Sequence, residues 1–147
     1  MAKRLTKEAE MLASEDLDWA SAEPVEGNLF EWDASIAGPE GSPYEGGLFN
    51  LKLSFGAEYP FTPPSVVFTT KVYHPSVKKD SGEICADIIK EAWKPSHNVK
   101  WVLTILQQLL AQPTTDSPLE PEIAQQLQDD PEAFAAKAKE LTEKYAC

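Results

Sequence analysis

The run Phe30-Glu31-Trp32-Asp33-Ala34-Ser35-Ile36, then Gly38-Pro39-Glu40-Gly41-Ser42-Pro43-Tyr44-Glu45-Gly46-Gly47, then Phe49-Asn50-Leu51-Lys52-Leu53-Ser54-Phe55 decides the fold class. Phe30, Trp32, Ala34 and Ile36 alternate with polar residues, which is the period of a half-buried strand. Phe49, Leu51, Leu53 and Phe55 repeat the pattern around Asn50, Lys52 and Ser54. The stretch between them is dense in turn formers. Val66-Val67-Phe68 reads as a further strand, and Glu23-Pro24-Val25 as the start of the sheet. Consecutive strands joined by short turns, without crossover helices, predict a four-stranded antiparallel meander.

Helical period lies on either side. Residues 2–14 place Leu5, Ala9, Leu12 and Ala13 on one stripe, with Lys3, Arg4 and Lys7 on the other side. Those three cations are either a solvated face or a binding surface. Val102, Ile105, Leu106, Leu109 and Leu110 form an apolar stripe without charges, as a central buried helix requires. Pro113, Pro118 and Pro121 punctuate the next connection. A short helix is predicted around 121–128 and a longer one from about 131 to 145, with Pro131 in its first turn and Asp130 as its cap. The order is helix, four strands, long irregular segment, three helices: an α+β class fold.

The chain has 147 residues, which predicts a single domain spanning 1–147. Its net charge of −11 argues against general binding to a nucleic-acid backbone. The apolar runs are only a few residues long, so no membrane span is expected. The opening Met1-Ala2-Lys3-Arg4-Leu5-Thr6-Lys7-Glu8 has no apolar core of a signal peptide, and cytosol or nucleus is the expected compartment. Two cysteines, Cys85 and Cys147, and two histidines, His74 and His97, with no C-x-x-C, predict neither a zinc site nor a disulfide. No cofactor is expected. Cys147 reads as an exposed end.

Between Tyr73 and Ile88 the chain is too broken for a strand and too apolar at its ends for a floppy loop. Long ordered loops in small domains usually carry function. Cys85 lies near its end, beside Ile84 and Ile88, with Asp87 two positions on. Two readings stand: a small buried hydrophobe or a reactive thiol. No neighbouring cation lowers its pKa, and a Cys–His hydrolase would need His74 or His97 as base, a role that neither context shows.

Four motifs in order, Tyr59-Pro60-Phe61-Thr62-Pro63-Pro64, Tyr73-His74-Pro75, Gly82-Glu83-Ile84-Cys85 and Trp93-Lys94-Pro95, resemble a ubiquitin-conjugating enzyme (E2). The basic first helix, the glycine-rich hairpin and Asp116-Ser117-Pro118-Leu119 extend the resemblance over essentially the whole chain, as a minimal single-domain member with the UBC fold. The resemblance implies that Cys85 accepts ubiquitin from the activating enzyme (E1) as a thioester and passes it to a substrate lysine or to a cysteine of a ligase (E3). Tyr73, His74 and Pro75 would shape the loop beside the cysteine. Asp87 and the Asp116-Ser117 loop would flank the incoming lysine, whose ammonium, with a pKa of about 10.4, must lose a proton before attack. Phe61, with Lys94, Pro95 and Ser96, would dock E3 ligases of the RING, HECT or RBR type. Lys3, Arg4 and Lys7 would meet E1, and Ser21 falls where some members bind a second ubiquitin on the outer face of the sheet. A monomer is expected.

Packing readings stand beside these. Phe61 between prolines also suits a core aromatic, Trp93 is mainly packing, Asp87 also suits a loop cap, and Lys94 a solvated charge.

Two features depart from the family. His74-Pro75-Ser76 stands where the family usually has His-Pro-Asn, whose asparagine is assigned to holding the loop and stabilising the oxyanion. Removing such a donor costs on the order of 10²–10³ in rate in other enzymes. Eleven positions separate His74 from Cys85 where the family usually has ten, which lengthens the Lys78-Lys79-Asp80-Ser81 turn. Both departures leave thioester formation on Cys85 expected and weaken the case for direct transfer to lysine. The alternatives are an E2 for another ubiquitin-like modifier and a non-catalytic ubiquitin-binding scaffold; retention of Cys85 argues against the scaffold.

Overall fold

A computed structural model describes residues 2–15, 17–84, 89–115 and 118–147. Helix α1 (Ala2–Glu15) precedes strands β1 (Ala20–Val25), β2 (Asn28–Ala37), β3 (Leu48–Ser54) and β4 (Ser65–Phe68); helices α2 (Val99–Ala111), α3 (Pro121–Asp129) and α4 (Pro131–Tyr145) come after them. The strands form one antiparallel sheet in the order β1-β2-β3-β4, as the alternation predicts.

Register is set by the apolar face. Trp32 pairs with Leu53, Ala34 with Leu51 and Ile36 with Phe49, so all six side chains are buried on one side. Against them packs α2, through Val102, Leu103, Leu106 and Leu110. Asn98 starts α2 by accepting the Trp101 N–H, and Asp130 caps α4 by accepting the Ala133 N–H, with Pro131 in the first turn. Phe30 shares the apolar period but stays exposed, since it stands near the open end of β2, next to the register shift between Pro24 and Val25.

The α1 stripe is rotated from its expected position. Leu5 and Glu8 are buried, whereas Ala13 faces solvent. The buried carboxylate is tolerated because it accepts hydrogen bonds from Arg4 Nε (3.0 Å), Tyr59 Oη (2.6 Å) and the Val99 N–H (2.8 Å).

Beyond β4 the chain is held by single bridges: Val67 to Glu83, His74 to Val77 and Val77 to Ile84. The turn at residues 78–83 closes on itself. Lys78 donates its N–H to the Glu83 carbonyl, and Gly82 donates to the Lys78 carbonyl, each at 2.9 Å. Gly82 has φ +78°, and a Cβ there would lie 1.9 Å from the Phe68 carbonyl oxygen, so glycine is required.

Candidate active site and docking surfaces

The loop carrying His74 is bound from three sides. His74 is fully buried. Its Nδ1 accepts the Ser76 N–H at 2.9 Å, so the ring proton belongs on Nε2, which donates to the Leu109 carbonyl at 2.9 Å. Burial pushes the imidazole down to about 4, against a smaller upward pull from the Leu109 carbonyl. At neutral pH the ring is uncharged and both nitrogens are engaged, so neither is free to take a proton from a substrate. His74 therefore pins the loop to α2, and its geometry does not suit a general base. The Tyr44 hydroxyl donates to the Tyr73 carbonyl, and burial raises the Tyr44 pKa. Tyr73 Oη donates to Gln126 Oε1 at 2.6 Å, and its ring lies 5.8 Å from that of Phe134.

Pro75 supplies the third tie. Its carbonyl accepts the N–H groups of Leu119 (2.8 Å) and Glu120 (3.0 Å). Glu120 Oε2 in turn accepts the Lys79 N–H at 3.0 Å. The chain leading out of Asp116-Ser117 is thus fixed to the His74-Pro75-Ser76 loop, and the bridge from Val77 to Ile84 fixes the residue preceding Cys85 to the same loop. Cys85, Asp87 and Ser117 themselves lie outside the described residues. Pro63, Pro64, Val66, Ile84 and Ile89 help to line a groove that adjoins both ends of the Cys85 segment.

Ser76 is 1% exposed, and its Oγ has no hydrogen-bond partner among the described residues. Ser76 thus presents a short hydroxyl turned into the protein.

A second cluster surrounds Phe61, which is 77% exposed. That exposure removes the core reading of this aromatic. Its N–H donates to the Glu58 carbonyl at 2.7 Å, closing a turn. Lys94, Pro95 and Ser96 are also exposed, on a turn in which the His97 N–H donates to the Lys94 carbonyl and Lys94 N–H to His97 Nδ1. Trp93 joins the two turns by donating Nε1–H to the Pro60 carbonyl at 2.7 Å. Half-buried, it packs on Tyr59 and Trp101, in keeping with its packing role.

Lys3 and Lys7 are exposed on α1, but Arg4 is half-buried, and one guanidinium nitrogen donates to the His97 carbonyl at 2.6 Å. Ser21 lies exposed on β1, its Oγ 2.8 Å from Ser35 Oγ. Among the described residues no group of three His, Cys, Asp or Glu side chains is placed to hold a metal ion.

Sequence alone does not single out Glu8, nor Tyr59 as its partner. The available signal is an acid three positions after Leu5, on the apolar side of α1.

The family model for ubiquitin-conjugating enzymes matches residues 4–142. The chain belongs to this family. It is 46% identical over 144 residues to ubiquitin conjugating enzyme E2 B of Dictyostelium discoideum, covering 98% of this chain and 97% of that protein. The E2 domain of a Toxoplasma gondii ubiquitin conjugating enzyme superposes with a TM-score of 0.91 at 36% identity, covering 99% of this chain and 98% of that one. The protein is accordingly an E2, a transferase with the UBC fold, and ubiquitin, an E1 and E3 ligases are its partners in general.

Proposed function

We propose that this E2 carries ubiquitin on Cys85 and passes it more readily to a thiol than to an amine. The burial of Ser76 Oγ supports this reading above all. In charging, the Cys85 thiolate attacks the carbonyl carbon of the E1 thioester; a new C–S bond forms and the E1 thiolate leaves. In discharge to lysine, a neutral amine attacks, a tetrahedral oxyanion forms, Cys85 departs as thiolate and the ammonium proton is lost to solvent or a nearby carboxylate. That oxyanion needs a donor. Ser76 has no side-chain amide to offer, its backbone N–H is engaged by His74 Nδ1, and its hydroxyl is buried. A thiol acceptor is the stronger nucleophile and depends less on that donor.

The same reading assigns the remaining residues. Asp87 and Ser117 flank the acceptor. His74 is a positioning residue for the loop. Phe61, Lys94, Pro95 and Ser96 form the ligase-docking surface, Lys3, Arg4 and Lys7 the E1-docking surface, and Ser21 a site for a second ubiquitin on the sheet. The exposure of Phe61 and of its neighbours supports the docking role. The ligases favoured are those with their own acceptor cysteine, HECT or RBR rather than RING. A monomer in cytosol or nucleus suits this role.

The test is single-turnover discharge of the Cys85 thioester to free lysine and to free cysteine, in the natural protein and in Ser76→Asn. Asparagine should raise the lysine rate several-fold and leave the cysteine rate nearly unchanged. Equal lysine rates would overturn the thiol preference. Absence of a thiol-sensitive ubiquitin adduct, lost in Cys85→Ala, would overturn the role of Cys85.

A further inference from the structure

We infer that Glu8 is a positioning residue for the two ligase-docking turns, an inference that rests on the docking role proposed for Phe61. Glu8 belongs to α1, yet two of its three donors lie far along the chain. Tyr59 stands two residues before Phe61, and Val99 three residues after Ser96. Arg4, the third donor, extends the network. Its guanidinium also donates to the His97 carbonyl and lies 5.5 Å from the centre of the Tyr59 ring. One carboxylate thus fastens the start of the Phe61 turn, the end of the Pro95-Ser96 turn and α1 to one another.

The chemistry requires an anion. A carboxylate has about four acceptor positions and no donor. A glutamine would present one accepting oxygen, and its amide would confront at least one N–H or O–H donor. The Val99 N–H lies in the first turn of α2, where backbone donors have no partner within the helix and negative charge is favoured. Packing alone does not explain an acid here, because an aliphatic side chain would serve the apolar stripe equally well. What the acid adds is a fixed distance between two irregular turns whose exposed residues must meet a partner together. Pre-organised loops bind more tightly because less ordering is left for the encounter.

The test measures ubiquitin transfer from the charged E2 to a HECT-type catalytic domain, selected by first assaying that the unaltered protein charges it, over a range of domain concentrations. Glu8→Gln should raise the half-saturating concentration about tenfold, as expected for losing a hydrogen bond to a charged group, and leave the saturated rate unchanged. Tyr59→Phe should raise it several-fold, and the double variant should be no worse than Glu8→Gln, since both remove the same tie. An unchanged half-saturating concentration in Glu8→Gln overturns the positioning role. So does a fall in the saturated rate without any change in half-saturation. Should Glu8→Gln fail to fold, Tyr59→Phe decides by the same criterion, because it keeps the buried ring. Phe61→Ala separates the two ideas. If it raises half-saturation and neither Glu8→Gln nor Tyr59→Phe does, only the positioning role falls. If Phe61→Ala leaves half-saturation unchanged, the docking reading falls and takes the positioning role with it.

Discussion

The Nδ1 atom of His74 accepts the backbone N–H of Ser76 at 2.9 Å, so the histidine nearest the proposed nucleophile in sequence is occupied in holding its own loop. Its value in the folded protein, about 4, lies below the 6.5 of an unperturbed imidazole. Between those values the unfolded chain binds more protons than the native one. Stability therefore rises with pH across this window; the contribution is intact above it and is lost as pH falls towards 4. One proton limits the slope to about 1.4 kcal/mol per pH unit. Urea unfolding between pH 7 and pH 4 should show this component in the natural protein and a shallower slope in His74→Gln. Parallel curves would refute the linkage.

Ser76 offers a test by deletion. A buried hydroxyl without a partner costs about 1–3 kcal/mol of desolvation. Ser76→Ala should therefore unfold at the same urea concentration as the natural protein or a higher one. A loss of more than about 1 kcal/mol would mean that the hydroxyl is bonded after all.

Phe61→Ala should weaken ligase-dependent discharge far more than charging by E1, by about 2 kcal/mol or more in apparent ligase affinity. With the side chain 77% exposed, its unfolding midpoint should barely move. A large fall in stability would reassign the residue to packing.

Gly82→Ala should be strongly destabilising, because the new methyl would lie 1.9 Å from a backbone oxygen in a left-handed conformation. The expected loss is about 2 kcal/mol or more, with slower charging of Cys85 three positions on. Unfolding and a thioester gel assay measure the two effects separately. Unchanged values in both would mean that the turn rearranges freely.

Much of the fold is legible because it is local. Strands β2 and β3 announce themselves by alternation, α2 by its apolar stripe and α4 by the Asp130-Pro131 start. Glu8 is not legible, since its partners Tyr59 and Val99 stand 51 and 91 positions away and an acid on a helix ordinarily reads as solvated. Arg4 reads as one of three surface cations for the same reason. The order of motifs around His74 and Cys85 is visible, but the engagement of both His74 nitrogens depends on the Leu109 carbonyl, 35 positions distant. Exposure of Phe61 is open in sequence, because prolines brace core and surface turns alike.

Trp93 and Trp101 stand with ring centres 5.6 Å apart, and Trp93 donates to the turn that bears Phe61. An indole so close to the proposed docking surface is a built-in optical gauge. If a ligase docks on Phe61 as proposed, it should alter the solvent around Trp93 and change its emission. The affinity of any tryptophan-free ligase fragment can then be titrated in unlabelled protein, without a dye, a tag or a turnover assay.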